Sequence, residues 1–324
     1  MPHVNPSALA PTAILPWGDS ITVSANYAGG WRPQFERRAY AERLLFTTVG
    51  SLTAGPAQLV NQLHAGFSGE TIVQQNNRVL GVGPGAPPGL LNQFPCDAAV
   101  LMIGVNDLNH GLQAVTGATN ASPIVVTYAA GVGGTSYVPA NGDTVVVAGV
   151  GGNTAANGTW VLSAVTATTA ALTGSTGNGV YTAATGGMYQ SNLVALTTTA
   201  LGTLIDNVFL LANNPRAAAF KLWVCETTPV DGTATAGAFG SSIVALPALV
   251  TAYNAALPAL ISGRASGGKN VAPITLGNDI RAFSGNALQG DLHTDGVHPI
   301  QAGCDRVGEI VYQQLRDSLT PRHR

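Results

Sequence analysis

Apolar positions follow two different rhythms along this chain. Short apolar runs bounded by turn residues fall at 12–15 (TAIL), 98–103 (AAVLMI), 220–225 (FKLWVC) and 271–276 (VAPITL). Each is too short for a buried helix and lacks strict apolar–polar alternation. That pattern predicts strands of a parallel sheet covered on both faces. Longer segments between them read as helices. In 33–46 (PQFERRAYAERLLF), Phe35, Ala39, Leu44 and Leu45 lie mostly opposite Arg37, Arg38, Glu42 and Arg43, which predicts an amphipathic helix. A second helix is expected over 191–212, with Ser191 or Asn192 able to cap it. A third is expected over 241–261, kinked or broken near Pro247 and Pro258. A last one is expected over 299–319, beginning at Pro299. Strand–helix alternation of this kind predicts an α/β domain of three layers, helices on both faces of a parallel sheet.

Residues 113–190 keep a different rhythm. The runs IVVTY, TVVVAGV, TWVLSAV and TAALT are separated by Gly-, Asn- and Thr-rich turns, and Asp143 is the one charged residue. This predicts a small all-β module. Completing one sheet needs strands from both sides of it. The expected organisation is therefore a discontinuous α/β domain, 1–112 and 191–324, interrupted by an inserted module at 113–190.

Composition narrows the function classes. Hydrophobic residues make up 46 % of the 324, but charged residues only 9 %, against roughly 25 % in ordinary soluble domains. A polar but uncharged surface points to an extracellular or virion-associated setting rather than the cytoplasm. The formal net charge is −2 with no basic stripe, which argues against a nucleic-acid partner. The sequence reading finds no run approaching the roughly 18 apolar residues of a membrane span. The first residues, MPHVNPSALAPTAILPW, lack the basic start and apolar core of a secretory leader. Cys96, Cys225 and Cys304 are far apart and match no zinc spacing. Buried free thiols are expected, with one disulfide as the alternative.

Candidate chemistry gathers where predicted strands end. Run 12–15 leads into Pro16-Trp17-Gly18-Asp19-Ser20-Ile21-Thr22. Gly-Asp-Ser is good turn chemistry by itself. It would equally hold a nucleophile, Ser20, at the carboxyl end of a strand, where open α/β sheets place their ligands. A serine nucleophile needs a base, and the base needs a partner to fix its tautomer. Asp295 and His298, in DGVHP just before the last helix, could supply both. Asp291 and His293 form a rival pair in the same loop. Gly69 in HAGFSGETI and Asn106 in MIGVNDL could donate a backbone N–H and a side-chain amide to an oxyanion. Asp19 and Asp107 read as residues that hold their turns, and His64 as a support for the Gly69 segment. No His, Asp or Cys cluster has metal-site spacing, and this chemistry needs no cofactor.

Taken in order, GDSIT, GFSGET, GVND and DGVHP resemble the four sequence blocks of the SGNH hydrolases, also called GDSL-type esterases. The resemblance covers both flanks but not the insert. It implies Ser20 as nucleophile, Asp295 and His298 completing the triad, and Gly69 and Asn106 as oxyanion donors beside the Ser20 amide. GGWR after the first block, TVGS, and HAGFSG are similar to motifs of the family 3 acetyl xylan esterases, with Trp31 where that family often has tyrosine. This implies a carbohydrate O-acetyl esterase, its substrate an acetylated carbohydrate or another short-acyl ester. A general short-chain esterase or thioesterase is the nearest alternative, and a non-catalytic carbohydrate-binding virion component the more distant one. Near the nucleophile, Trp31 would stack on a sugar or pack under the loop, and Arg32 would clamp substrate or serve an internal ion pair. His110 is a candidate for the pocket wall. The insert is similar by local motif to short β-modules of phage tail proteins, which implies virion or homo-oligomeric assembly as its role.

Overall fold

The structure is a computed structural model that describes residues 10–23, 29–82, 87–130, 137–182, 186–230, 245–276 and 296–321. The chain opens with β1 (Thr12–Gly18), a one-turn helix α1 (Ser20–Val23), and α2 (Arg32–Ala41). Three strands follow, β2 (Leu44–Thr48), β3 (Leu52–Thr53) and β4 (Leu63–Gly66), then α3 (Ile72–Leu80), α4 (Leu90–Gln93), β5 (Ala98–Met102) and α5 (Val105–His110). Beyond the insert come α6 (Leu193–Val208), β12 (Lys221–Cys225), α7 (Leu246–Ser266), β13 (Val271–Ile274), α8 (Gln301–Leu315) and a short β14 (Thr320–Pro321).

The sheet runs β13-β12-β5-β1-β2-β14, and β4 joins the far end of β1. All of these pairings are parallel except that of β14 with β2. Every residue of β5 is buried, as expected of a central strand with both faces covered. The four predicted strands are all present. They reach the same core as Phe35, Leu201, Leu204, Tyr253 and Val311 from the flanking helices.

Between α5 and α6 the chain forms β6 (Leu112–Ala118), β7 (Ile124–Ala130), β8 (Thr144–Ala148), β9 (Gly158–Ser163), β10 (Thr169–Leu172) and β11 (Gly187–Gln190). These six strands close into an antiparallel barrel in the order β10-β7-β6-β11-β8-β9. Closure leaves no strand edge open to association. Val115, Ile124, Val126, Val145, Val147, Leu162, Leu172 and Met188 fill a core separate from that of the α/β sheet. The first and last strands pair with each other, Leu112 opposite Tyr189, so the insert leaves and rejoins the α/β domain at neighbouring points, after α5 and before α6.

Several expectations need correction. The helix foreseen over 33–46 stops at Ala41. Arg43 takes a left-handed φ of 59°, and Leu44 and Leu45 belong to β2, whose Phe46 pairs with Thr12. Pairing along β1 outweighs the helical spacing of two leucines, and the threonines that follow suit a strand. Helix α7 is not broken. Pro247 sits in its first turn and Pro258 lies inside a continuous helix. At 21 residues it is long and apolar enough to cross a membrane by length and composition, unlike anything the sequence reading anticipated. Here Leu246, Leu249, Val250, Tyr253, Leu257 and Ile261 form a buried stripe joined to the α/β core. The last helix begins at Gln301, two residues beyond Pro299. Asn192 precedes α6 without a side-chain cap. All three cysteines are buried and free, which removes the disulfide alternative.

Candidate active site

Parallel register assembles the site. At the carboxyl end of β1, Gly18 pairs with Gly66 of β4 on one side and Met102 of β5 on the other. The loops leaving these three strands therefore start side by side. Ser20 follows two residues after Gly18, Gly69 three after Gly66, and Asn106 four after Met102. Chain progression reverses across β1, the kind of position where open α/β sheets bind ligands. Close approach at this point requires glycine. Gly18 has φ +143°, and a Cβ there would lie 1.9 Å from the Met102 carbonyl oxygen.

The imidazole of His298, two residues before α8 begins its N-cap, reaches across to the β1 loop. Its Nε2 lies 2.8 Å from Ser20 Oγ, within the distance at which a base can take a hydroxyl proton. Asp295, the expected third member, lies outside the described residues, as do Asp291 and His293 of the rival pair.

The Gly69 segment is a tight turn. Glu70 N–H donates to the Phe67 carbonyl at 3.2 Å, and Gly69 has φ +78°, the type II geometry that favours glycine at this position. A Cβ on Gly69 would meet nothing within 4 Å, so its Cα is open on that side. Asn106 is buried, and its Nδ2 donates to the Glu70 carbonyl at 3.0 Å. That amide carries a second hydrogen, so the contact orients it without exhausting it.

Two carboxyl groups lie behind these residues. Asp19 is fully buried. One oxygen accepts the Ile21 N–H at 3.0 Å, and the other has no hydrogen-bond partner among the described residues. Burial pushes its pKa up from 3.8 to about 7, against the lowering effect of the Ile21 hydrogen bond. Asp107 accepts the Ile72 N–H with both oxygens, at 3.1 and 3.0 Å. It thereby ties α5 to the start of α3. Burial also raises its pKa to about 7, and the nearby Asp19 charge adds to the rise. Both residues hold turns together, as the sequence reading expected. Tyr253 of α7 donates to the Ile103 carbonyl at 3.1 Å and packs its ring over Gly104.

His64 is buried in β4, its Nδ1 accepting the Gly66 N–H at 3.0 Å. Desolvation, helped by the Arg32 charge, lowers its pKa to about 4, so it is neutral at physiological pH. Trp31 and Arg32 are both buried. Trp31 is buried, its ring edge-on to Phe35 with centroids 5.8 Å apart. Arg32 is buried and donates to the carbonyls of Gly29, Ala54 and Gln62 at 3.2, 2.8 and 2.7 Å. A guanidinium committed to three backbone acceptors staples these loops together. His110 ends α5 one turn after Asn106. It is half-buried, and desolvation lowers its pKa.

The sequence reading missed the helix α3 and the polar cluster it carries. Gln75 is fully buried on a face otherwise made of Ile72 and Val79. Glu70 pairs with Arg78 at 2.5 Å, and the Arg78 guanidinium lies 3.6 Å from the Phe67 ring centroid. A Thr-x-x-Gln capping box, Thr71 with Gln74, marks the helix start. A lone glutamine at the spacing of an apolar stripe was the signal available. A surface cleft of about 470 Å³, lined by Pro33, Tyr40, Pro56, Leu59 and Asp305 among others, lies beside α2 and contains neither Ser20 nor His298.

A mostly parallel sheet flanked by helices, with an inserted antiparallel barrel, is an SGNH-like α/β fold. No protein-family model and no curated protein matches the sequence. Solved structures do. A family 3 carbohydrate esterase of Clostridium thermocellum superposes with a TM-score of 0.52 at 20 % identity, covering 95 % of this chain and 96 % of that one. A family 3 carbohydrate esterase from Talaromyces cellulolyticus gives 0.53 at 16 % identity, with coverage of 95 % and 97 %. An acetyl esterase with a serine replaced by alanine, holding an acetate ion, gives the same values. At these identities the likeness is one of fold.

Proposed function

We propose that the protein is a serine carboxylic-ester hydrolase acting on short acyl esters, with O-acetylated carbohydrate as its substrate class. The observation that carries this reading is the 2.8 Å contact between Ser20 Oγ and His298 Nε2, set beside two donors on adjacent loops. Ser20 Oγ attacks the ester carbonyl while His298 Nε2 takes its proton. The developing oxyanion is held by the Ser20 and Gly69 amides and by the Asn106 side chain. His298 then returns the proton to the leaving alcohol oxygen, giving an acyl-enzyme. Water, deprotonated by His298, attacks that acyl group and releases the free acid. Asp295 steadies the imidazolium. The acetyl preference is supported by the fold shared with family 3 carbohydrate esterases and an acetyl esterase and by the sequence motifs that resemble that family.

The test is turnover of p-nitrophenyl acetate beside acetate release from an acetylated polysaccharide. Ser20→Ala should lower kcat by a factor on the order of 10⁴–10⁶. A folded Ser20→Ala protein keeping more than about a tenth of the rate, a loss far smaller than triad removal produces, would end the assignment.

A further inference from the structure

The two donors outside the nucleophile's own loop come from separate strand ends, so their spacing to Ser20 must be set by contacts between loops. One side chain spans that gap. Gln75 Nε2 donates to the Gly18 carbonyl at 3.0 Å and to Glu70 Oε2 at 2.8 Å. Its Oε1 accepts Trp17 Nε1 at 2.5 Å. Both hydrogens and the oxygen of the amide are thus engaged. Two partners lie on the strand that delivers Ser20, and the third belongs to the residue directly after Gly69.

The far end of this bridge is itself held in place. Arg78 donates to Glu70 Oε2 from Nε at 2.9 Å and to Oε1 from Nη2 at 2.5 Å. Its guanidinium covers the Phe67 ring at the start of the same turn. Phe67 N–H donates to the Gly18 carbonyl at 2.9 Å, which therefore receives both ends of the bridge. The Glu70 carbonyl receives Asn106 Nδ2. A glutamine buried without partners would cost stability, and an apolar residue would fill the face between Ile72 and Val79 more simply. The complete pairing of Gln75 gives it a physical reason to be there.

We propose that Gln75, acting through Glu70, is a positioning residue that sets the oxyanion donors Gly69 and Asn106 relative to Ser20. This deepens the esterase reading above and rests on it. A planar amide with fixed donor and acceptor directions holds a spacing that apolar packing would leave loose. Misplacing a catalytic group by about 1 Å can cost about 10²-fold in rate.

The experiment compares Gln75→Met and Glu70→Gln with the wild type and with Ser20→Ala, using p-nitrophenyl acetate. Binding of phenylboronic acid, which adds to a serine oxygen as a tetrahedral anion, is measured in parallel. Positioning predicts a kcat lower by roughly 10–100-fold with KM little changed, and boronate affinity reduced by a similar factor. Wild-type kcat and boronate affinity in folded Gln75→Met, with only a lowered Tm, would show a purely structural bond and overturn the proposal. If Gln75→Met does not fold, Glu70→Gln decides. This substitution keeps the side-chain volume and leaves one donor on Arg78 or Gln75 unmatched. The same split between kcat and KM supports the proposal, and wild-type values overturn it. Undiminished turnover in Ser20→Ala would instead remove the esterase reading, and the proposal with it.

Discussion

Asp19→Asn should make the protein more stable at alkaline pH than the wild type, and the gain should vanish on acidification. The Asp19 carboxyl is fully buried, with one oxygen lacking a hydrogen-bond partner among the described residues, and its pKa stands at about 7 instead of 3.8. The native state therefore keeps a proton that the unfolded chain loses. The stability tied to that proton is complete below pH 3.8 and declines as pH rises toward 7, levelling off above it. Raising a carboxyl from 3.8 to about 7 corresponds to about 4 kcal/mol in total, of which about 3 kcal/mol falls between pH 5 and pH 8. Asparagine keeps an acceptor for the Ile21 N–H but cannot ionise. It adds a buried NH₂ group, a penalty independent of pH and on the order of 1–3 kcal/mol. Removing the Asp19 charge also relieves Asp107, whose pKa that charge raises. Chemical denaturation of both proteins at pH 5 and pH 8 gives four stabilities. The variant-minus-wild-type difference should grow by about 3 kcal/mol from the lower to the higher pH. A difference that stays constant would show that Asp19 is ionised throughout and that the burial argument is wrong. The wild-type profile alone is a poor test, because His64 titrates with the opposite sign over part of the same range.

Asn106→Ala should lower kcat by about 10²–10³, or roughly 2.7–4 kcal/mol, with little change in KM; a pure KM effect in steady-state kinetics would place Asn106 in ground-state binding. The His64 pKa of about 4 lies below the ordinary 6.5, so its stabilising contribution is complete above pH 6.5 and is lost as pH falls through 4, about 3 kcal/mol in all. His64→Asn, which keeps an acceptor for the Gly66 N–H, should flatten that acid limb in denaturation curves, and an unchanged limb would count against the neutral, buried imidazole. Replacing residues 113–188 by a short Gly/Ser linker should leave a folded protein that still cleaves p-nitrophenyl acetate, because Leu112 and Tyr189 are already paired neighbours and the barrel core is separate. Comparing small-ester with polysaccharide turnover in the deleted protein then tests whether the barrel helps to dock polymer, and failure to fold would show that it supports the sheet.

The α/β class, the four central strands and the all-β character of the middle segment were legible in the sequence because they are local properties. A buried strand must be apolar throughout, a turn needs glycine, and alternation betrays a half-buried β-run. Ser20, Gly69, Asn106 and His298 were nameable for a related reason: each sits in a short motif whose residue types suit its chemistry. Pairing and register lay beyond that reading. The helical spacing of Leu44 and Leu45 masks the strand, because the deciding partner is β1, some thirty residues earlier. Trp31 and Arg32 stand next to the nucleophile in sequence yet are turned inward, because carbonyls from the 54–62 segment and the ring of Phe35 claim them. Closure of six strands into a barrel depends on β6 meeting β11 across more than seventy residues. Gln75 is not singled out by the sequence, and only the hydrogen bonds from α3 to β1 reveal what its amide holds. Composition and period are written residue by residue along the chain, whereas the partners that satisfy a buried polar group are chosen when distant segments meet.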